Sequence, residues 1–132
     1  MKILISGGFG FIGKKLIQKL INQKHQVHII EHPNAKKPKI FKKLKTFYID
    51  LNKKKNSIIK LKFKYDVFLH LAGQPSGPRS FFIPYEDIKL NVLGTLNVIN
   101  LCKLNNINRI IFASTFAVYG DNETKRGIKE DS

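Results

Sequence analysis

Ser6-Gly7-Gly8-Phe9-Gly10-Phe11-Ile12-Gly13 is the stretch that decides how this chain folds. Ahead of it runs Lys2-Ile3-Leu4-Ile5-Ser6, a short apolar segment that reads as a buried strand. Behind it, Phe11, Ile12, Leu16, Ile17, Leu20 and Ile21 recur at helical spacing. A strand, a glycine turn and a helix in that order suit a phosphate ligand. Gly7 allows the tight turn, Gly10 lets backbone amides approach a pyrophosphate, and Gly13 lets the helix pack closely on the sheet. The helix N-terminus adds positive potential. With Glu31 closing the next strand, the pattern reads as a dinucleotide site. The glycines alone would also fit a ligand-free strand–helix turn.

Outward from this turn, apolar strands and helical patterns alternate. Val27–Ile30, Thr46–Ile49, Asp66–Leu71 and Arg109–Ser114 read as strands two to five. A Pro- and Lys-rich loop follows His32, a short weak helix is expected within Asp50–Leu61, and a loop runs from Ala72 to Pro84. Tyr85–Leu104 reads as one long helix with Ile88, Val92, Leu96, Ile99 and Leu104 in helical register. Strands that are apolar throughout, separated by helices, imply α/β architecture with a parallel sheet covered on both faces. Right-handed crossovers then give a doubly wound sheet of order 3-2-1-4-5, with its ligand crevice at the carboxyl ends of strands 1 and 4.

The 132 residues suffice for one domain, and a hydrophobic fraction of 42% with 10 Phe and 4 Tyr excludes a disordered chain. No apolar run reaches membrane-span length, the start lacks a signal-peptide pattern, and the single cysteine, Cys102, forms no internal disulfide. A cytoplasmic protein with no membrane partner is expected. The formal net charge of +15 is concentrated: seventeen lysines, against only Glu31 and Asp50, precede Tyr65, and the remainder is balanced. These lysines are scattered among Ile and Asn without interleaved base-stacking aromatics, so they read as a solvated surface, with no specific nucleic-acid partner expected. His25, His28 and His32 lack metal-ligand spacing, and no metal site is expected.

The glycine motif, Tyr-Ile-Asp-Leu (48–51), His-Leu-Ala-Gly (70–73), Asn-Val-Leu-Gly-Thr (91–95) and Ser-Thr-Phe-Ala-Val-Tyr-Gly-Asp (114–121) together carry a resemblance. In order and spacing they resemble the extended short-chain dehydrogenase/reductase superfamily, in its nucleotide-sugar epimerase/dehydratase branch. Only the motif's leading Thr differs, being Ser6 here. The resemblance implies a Rossmann domain over residues 1–132, NAD as cofactor and a nucleotide sugar as substrate, with a homodimer as the complete enzyme. It places Gly7, Gly10, Phe11, Ile12 and Gly13 at the pyrophosphate and Asp50 and Leu51 at the adenine. Leu71, Ala72 and Gly73 would pass under the pyrophosphate and nicotinamide ribose, and Asn91 would lie on the helix under the active site. An N-cap role for Asp50 and a structural role for Asn91 remain alternatives. Glu31, accepting from the ribose hydroxyls and repelling a 2′-phosphate, favours NAD over NADP, though Lys36 and Lys37 could accommodate that phosphate. His70, inside an apolar strand, reads as a hydrogen-bonded structural histidine.

The family's catalytic Ser/Thr falls on Thr115, with Ser114 as the supporting hydroxyl. Where 4,6-dehydratases carry Asp and Glu, this chain has Phe116 and Ala117, which disfavours dehydration and leaves epimerisation as the expected reaction. Gln74, Ser76 and Arg79 lie in a loop that resembles paratose/tyvelose-type enzymes and could reach a sugar or diphosphate. The family's base, a Tyr-x-x-x-Lys tyrosine, follows the Ser/Thr. The one formal match, Tyr85-Glu86-Asp87-Ile88-Lys89, precedes it and is not expected to serve. The chain ends at Lys129-Glu130-Asp131-Ser132, which resembles the acidic stretch before the true motif. The expectation is therefore a C-terminally incomplete enzyme, inactive alone, that lacks its base, its last strands and its substrate domain. A non-catalytic or redox-sensing dinucleotide-binding module, and less readily a nucleic-acid-binding protein, are the competing readings.

Overall fold

A computed structural model describes residues 1–120. Asp121 and the acidic stretch 129–132 singled out above lie outside the described residues. Five strands form one parallel sheet in the order β3-β2-β1-β4-β5, as expected from the alternation of strands and helices. They are β1 (Lys2–Ser6), β2 (Gln26–Glu31), β3 (Thr46–Tyr48), β4 (Val67–His70) and β5 (Ile110–Phe112). In register, Ser6 stands beside Ile30 on one side and His70 on the other.

Side chains alternate across the sheet, and each face is buried by different partners. Ile3, Ile5, Val27, Ile29, Val67 and Leu69 face α1 (Phe11–Asn22), meeting Ile17 and Phe41 of the 3₁₀ segment Lys39–Phe41. Leu4, Ile30 and Phe68 face the other way, toward Val98, Leu101, Cys102 and Ile107. Cys102 is thus a core residue, and burial pushes its thiol up to about 12.

Three expectations need correction. The loop after Ala72 contains a short helix, α2 (Gly77–Phe82), started by Ser76, whose hydroxyl accepts from the Arg79 amide, and by Pro78 in its first turn. The helix expected within 50–61 is a 3₁₀ segment, Lys54–Ile58. The long helix is broken into α3 (Pro84–Asp87), a π-helical segment Ile88–Leu93 and α4 (Gly94–Leu104). The wider π turn rotates the register. Ile88, Val92 and Leu96 consequently stand about half exposed, while Gly94, Asn97, Val98, Leu101 and Cys102 take the buried face.

β5 is the sheet edge among the described residues, and Ile110, Ile111 and Phe112 are 39%, 53% and 53% exposed. No described helix is long and apolar enough to cross a membrane.

Phe68 is fully buried at the centre of the α4-facing core. Phe68→Ala should lower stability by about 3–5 kcal/mol, whereas Lys36→Ala on the surface should stay within about 0.5 kcal/mol. Urea unfolding midpoints of the two variants check this, and similar midpoints would contradict the assigned core.

Candidate active site

Two adjoining cavities open at the carboxyl ends of the strands. The smaller, about 200 Å³, is lined by Gly7, Glu31, Asp50, Leu51, Ala72 and Gly73, together with Ile30, His32, Ile49, Asn52, His70, Leu90 and Gly94. The larger, about 1010 Å³, is lined by Gly7, Gly10, Phe11, Ile12, Gly13, Leu71, Ala72, Gly73, Asn91, Ser114 and Thr115. Every cofactor-binding and catalytic residue that the resemblance implied therefore lines one cavity or both. Neither Tyr85 nor Lys89 lines either.

The glycine turn is a close backbone meeting. Gly7 has φ +71°, and a Cβ there would lie 2.6 Å from the Ala72 nitrogen. A Cβ on Gly13 would lie 2.5 Å from the Gly7 oxygen, so α1 can approach only because that position is bare. Gly10 is the N-cap of α1 without side-chain capping, and the first turn holds no acid. The amides that open α1 lack intrahelical acceptors by geometry, and Gly10, Phe11, Ile12 and Gly13 line the larger cavity, which suits an anion. Phe11 and Ile12, placed at the pyrophosphate by the resemblance, are 79% and 60% exposed beside that cavity.

Glu31 is more than a strand-end acid. Its Oε1 accepts from the Phe9 amide at 2.6 Å, tying β2 to the glycine turn. Burial raises its pKa above the ordinary value, and the Phe9 hydrogen bond partly offsets that. Asp50 caps no helix, since Lys53 is the N-cap of the 3₁₀ segment. Its Oδ1 instead accepts from the Asn52 amide at 3.0 Å, and its Oδ2 lies 3.8 Å from both His32 and Lys53.

His70 is fully engaged. Thr95 Oγ1 donates to the Asn91 carbonyl at 2.6 Å, so it must accept from His70 Nε2–H at 3.1 Å. His70 Nδ1 then accepts from the Ser6 hydroxyl at 2.7 Å. The neutral ring assigned by this network is the one burial favours, with the pKa lowered to about 4.

Asn91 grips Gln74 from both sides. Its Oδ1 accepts from the Gln74 amide at 2.8 Å and its Nδ2 donates to the Gln74 carbonyl at 3.1 Å. Asp87 Oδ1 gathers Asn91, Ser80 and Gln74 at 2.9, 2.8 and 3.2 Å. The Gln74 side chain is thereby held within the loop, and Arg79 pairs with Glu86 at 2.7 Å. Ser76 and Arg79 line neither cavity, so of the three loop residues expected near a ligand only Gln74 reaches one. Thr115 accepts from the Ala117 amide at 3.3 Å through its side-chain oxygen. The hydroxyl proton is left for another acceptor. Among the described residues, no three His, Cys, Asp or Glu groups converge to hold a metal ion.

Residues 3–132 match the NAD dependent epimerase/dehydratase family, and the chain belongs to it. It is 33% identical over 133 residues to the CDP-paratose 2-epimerase of Salmonella typhi, covering 93% of this chain and 39% of that protein. It is 32% identical over 123 residues to UDP-glucuronic acid decarboxylase 1 of Danio rerio, covering 92% of this chain and 29% of the relative. The structure of the UDP-glucose 4-epimerase of Thermus thermophilus in complex with NAD superposes with a TM-score of 0.87 at 28% identity, covering 99% of this chain and 43% of that one. The chain thus spans less than half the length of these relatives.

The environment of His70 sets a pH dependence. Its folded pKa is depressed from 6.5 to about 4, so the unfolded chain binds the extra proton first as pH falls. Stability should be full above pH 6.5 and fall by up to about 3 kcal/mol toward pH 4. His28, lowered by burial and by Lys2 and Lys45, acts in the same direction, while Glu31 opposes it. Urea midpoints between pH 7.5 and 5 should drop, with a shallower drop in His70→Asn. A flat profile would contradict the neutral, buried ring.

Proposed function

We propose that residues 1–132 form the NAD-binding domain of a nucleotide-sugar epimerase. The observation that carries the reading is the convergence of the glycine turn, Glu31, Asp50–Leu51, Leu71–Gly73, Asn91 and Ser114–Thr115 on two joined cavities at the strand ends. The donor set fits a dinucleotide: bare amides opening α1 for the pyrophosphate, and a carboxylate at the end of β2 for the ribose hydroxyls. The smaller cavity, between Glu31 and the Asp50–Leu51 turn, suits the adenosine half.

Bound NAD would supply hydride acceptance and return. The chain's own contribution is position. Gly7, Ala72 and Gly73 line both cavities, and Asn91 fixes the loop beside them. Thr115, with its oxygen engaged by Ala117, directs its proton to the substrate hydroxyl being oxidised. Phe116 and Ala117 supply neither the acid nor the base that water elimination needs, which favours epimerisation over dehydration. That the Salmonella typhi relative is a CDP-paratose 2-epimerase supports the same class.

Calorimetric titration of the chain should show NAD binding more tightly than NADP, because Glu31 disfavours a 2′-phosphate. Gly10→Val should abolish NAD binding while the circular dichroism spectrum is retained. Equal or tighter NADP binding would overturn the role given to Glu31, and NAD binding by Gly10→Val would overturn that of the turn.

A further inference from the structure

The outer wall of the smaller cavity has no regular structure of its own. After β3 the chain makes the Asp50–Asn52 turn and the Lys54–Ile58 3₁₀ segment, and joins no strand until β4. Within the connection Asn56 Nδ2 donates to the Asp50 carbonyl at 2.8 Å, and from outside it α4 supplies the hold. Asn97, 8% exposed on the apolar face of that helix, donates through Nδ2 to the Leu51 carbonyl at 2.7 Å. One turn earlier, Gly94 admits the same turn: a Cβ there would lie 3.3 Å from Asn52 Oδ1. At the C-cap of α4, Asn105 donates to the Ile59 carbonyl at 2.8 Å and accepts from the Leu61 amide at 2.6 Å.

The helix therefore clamps the connection at two places, with different consequences. Asn105 meets Ile59 and Leu61, which line neither cavity, whereas Asn97 meets Leu51, which lines the smaller one. A buried amide among Val98, Leu101 and Cys102 costs free energy unless it is hydrogen-bonded, and a leucine would pack there without that requirement. The polar choice is explained by what it holds.

We infer that Asn97 is a positioning residue for the cofactor: by fixing the Leu51 carbonyl it sets the Asp50–Asn52 turn against the adenine half of the dinucleotide. This rests on the NAD reading above. Asn97 lines neither cavity, so it acts through Leu51 and not by touching the ligand.

The test uses the 132-residue chain, with NAD and AMP as calorimetric probes and thermal unfolding recorded alongside. Asn97→Ala should weaken NAD and AMP by the same factor, about tenfold, because the whole defect lies in the adenine half. Asn105→Ala removes the matched clamp and should lower the unfolding midpoint while leaving both affinities within about twofold. A second measurement on the unmodified chain needs no variant to fold. Exchange of the Asn97 side-chain amide protons should slow at saturating AMP, and that of Asn105 should not. Equal affinity losses in the two variants, a loss for NAD without one for AMP, or unchanged Asn97 exchange would overturn the inference. An unmodified chain that binds neither ligand would instead overturn the cofactor reading, and this inference with it.

Discussion

The near-contact between Gly7 and the chain leaving β4 is the constraint on which the rest depends. A side chain at Gly7 would run into the Ala72 backbone, and one at Gly13 into the Gly7 carbonyl. Bare glycines let β1, α1 and the β4 exit meet backbone to backbone. That meeting leaves the residues that open α1 lining a cavity, and Glu31 holds the turn from the neighbouring strand through Phe9. The crevice is thus shaped by backbone contacts within the protein.

A second polar line crosses beneath it. Ser6, His70, Thr95 and the Asn91 carbonyl form a directed series of hydrogen bonds from the glycine turn to the π-helical segment. Asn91 then passes the constraint to Gln74, and Asp87 closes the loop. Buried polar groups of this kind are costly unless all are satisfied, and no buried side-chain nitrogen or oxygen among the described residues is left without a partner.

The parallel sheet was readable in the sequence because Ile3–Ile5 and Val67–Leu69 are apolar on both faces and Val27–Ile30 is so but for His28, as in doubly covered strands. The glycine turn was readable because its sterics are local. The broken helix was not. Its apolar periodicity is continuous from Ile88 to Leu104, and the π turn coincides with Asn91 clamping a loop seventeen residues away in sequence. Asn97 was missed for a related reason: an asparagine on an apolar helix face gives a signal only when the carbonyl it serves is known. Glu31 was placed correctly at the strand end, but its bond to Phe9 depends on how tightly the turn folds back. Local sterics and burial patterns are written in the chain, whereas polar partners across long separations come from packing.

The account's central claim is that the glycine turn and the cavities beside it form a dinucleotide cradle. An amide chemical-shift map of the chain with added NAD tests it most directly. Perturbations should concentrate at the Gly10–Gly13 amides, at the Asp50–Asn52 turn and at Ala72–Gly73. Perturbations confined to the lysine-rich segment 36–45, with the glycine turn unmoved, would contradict it.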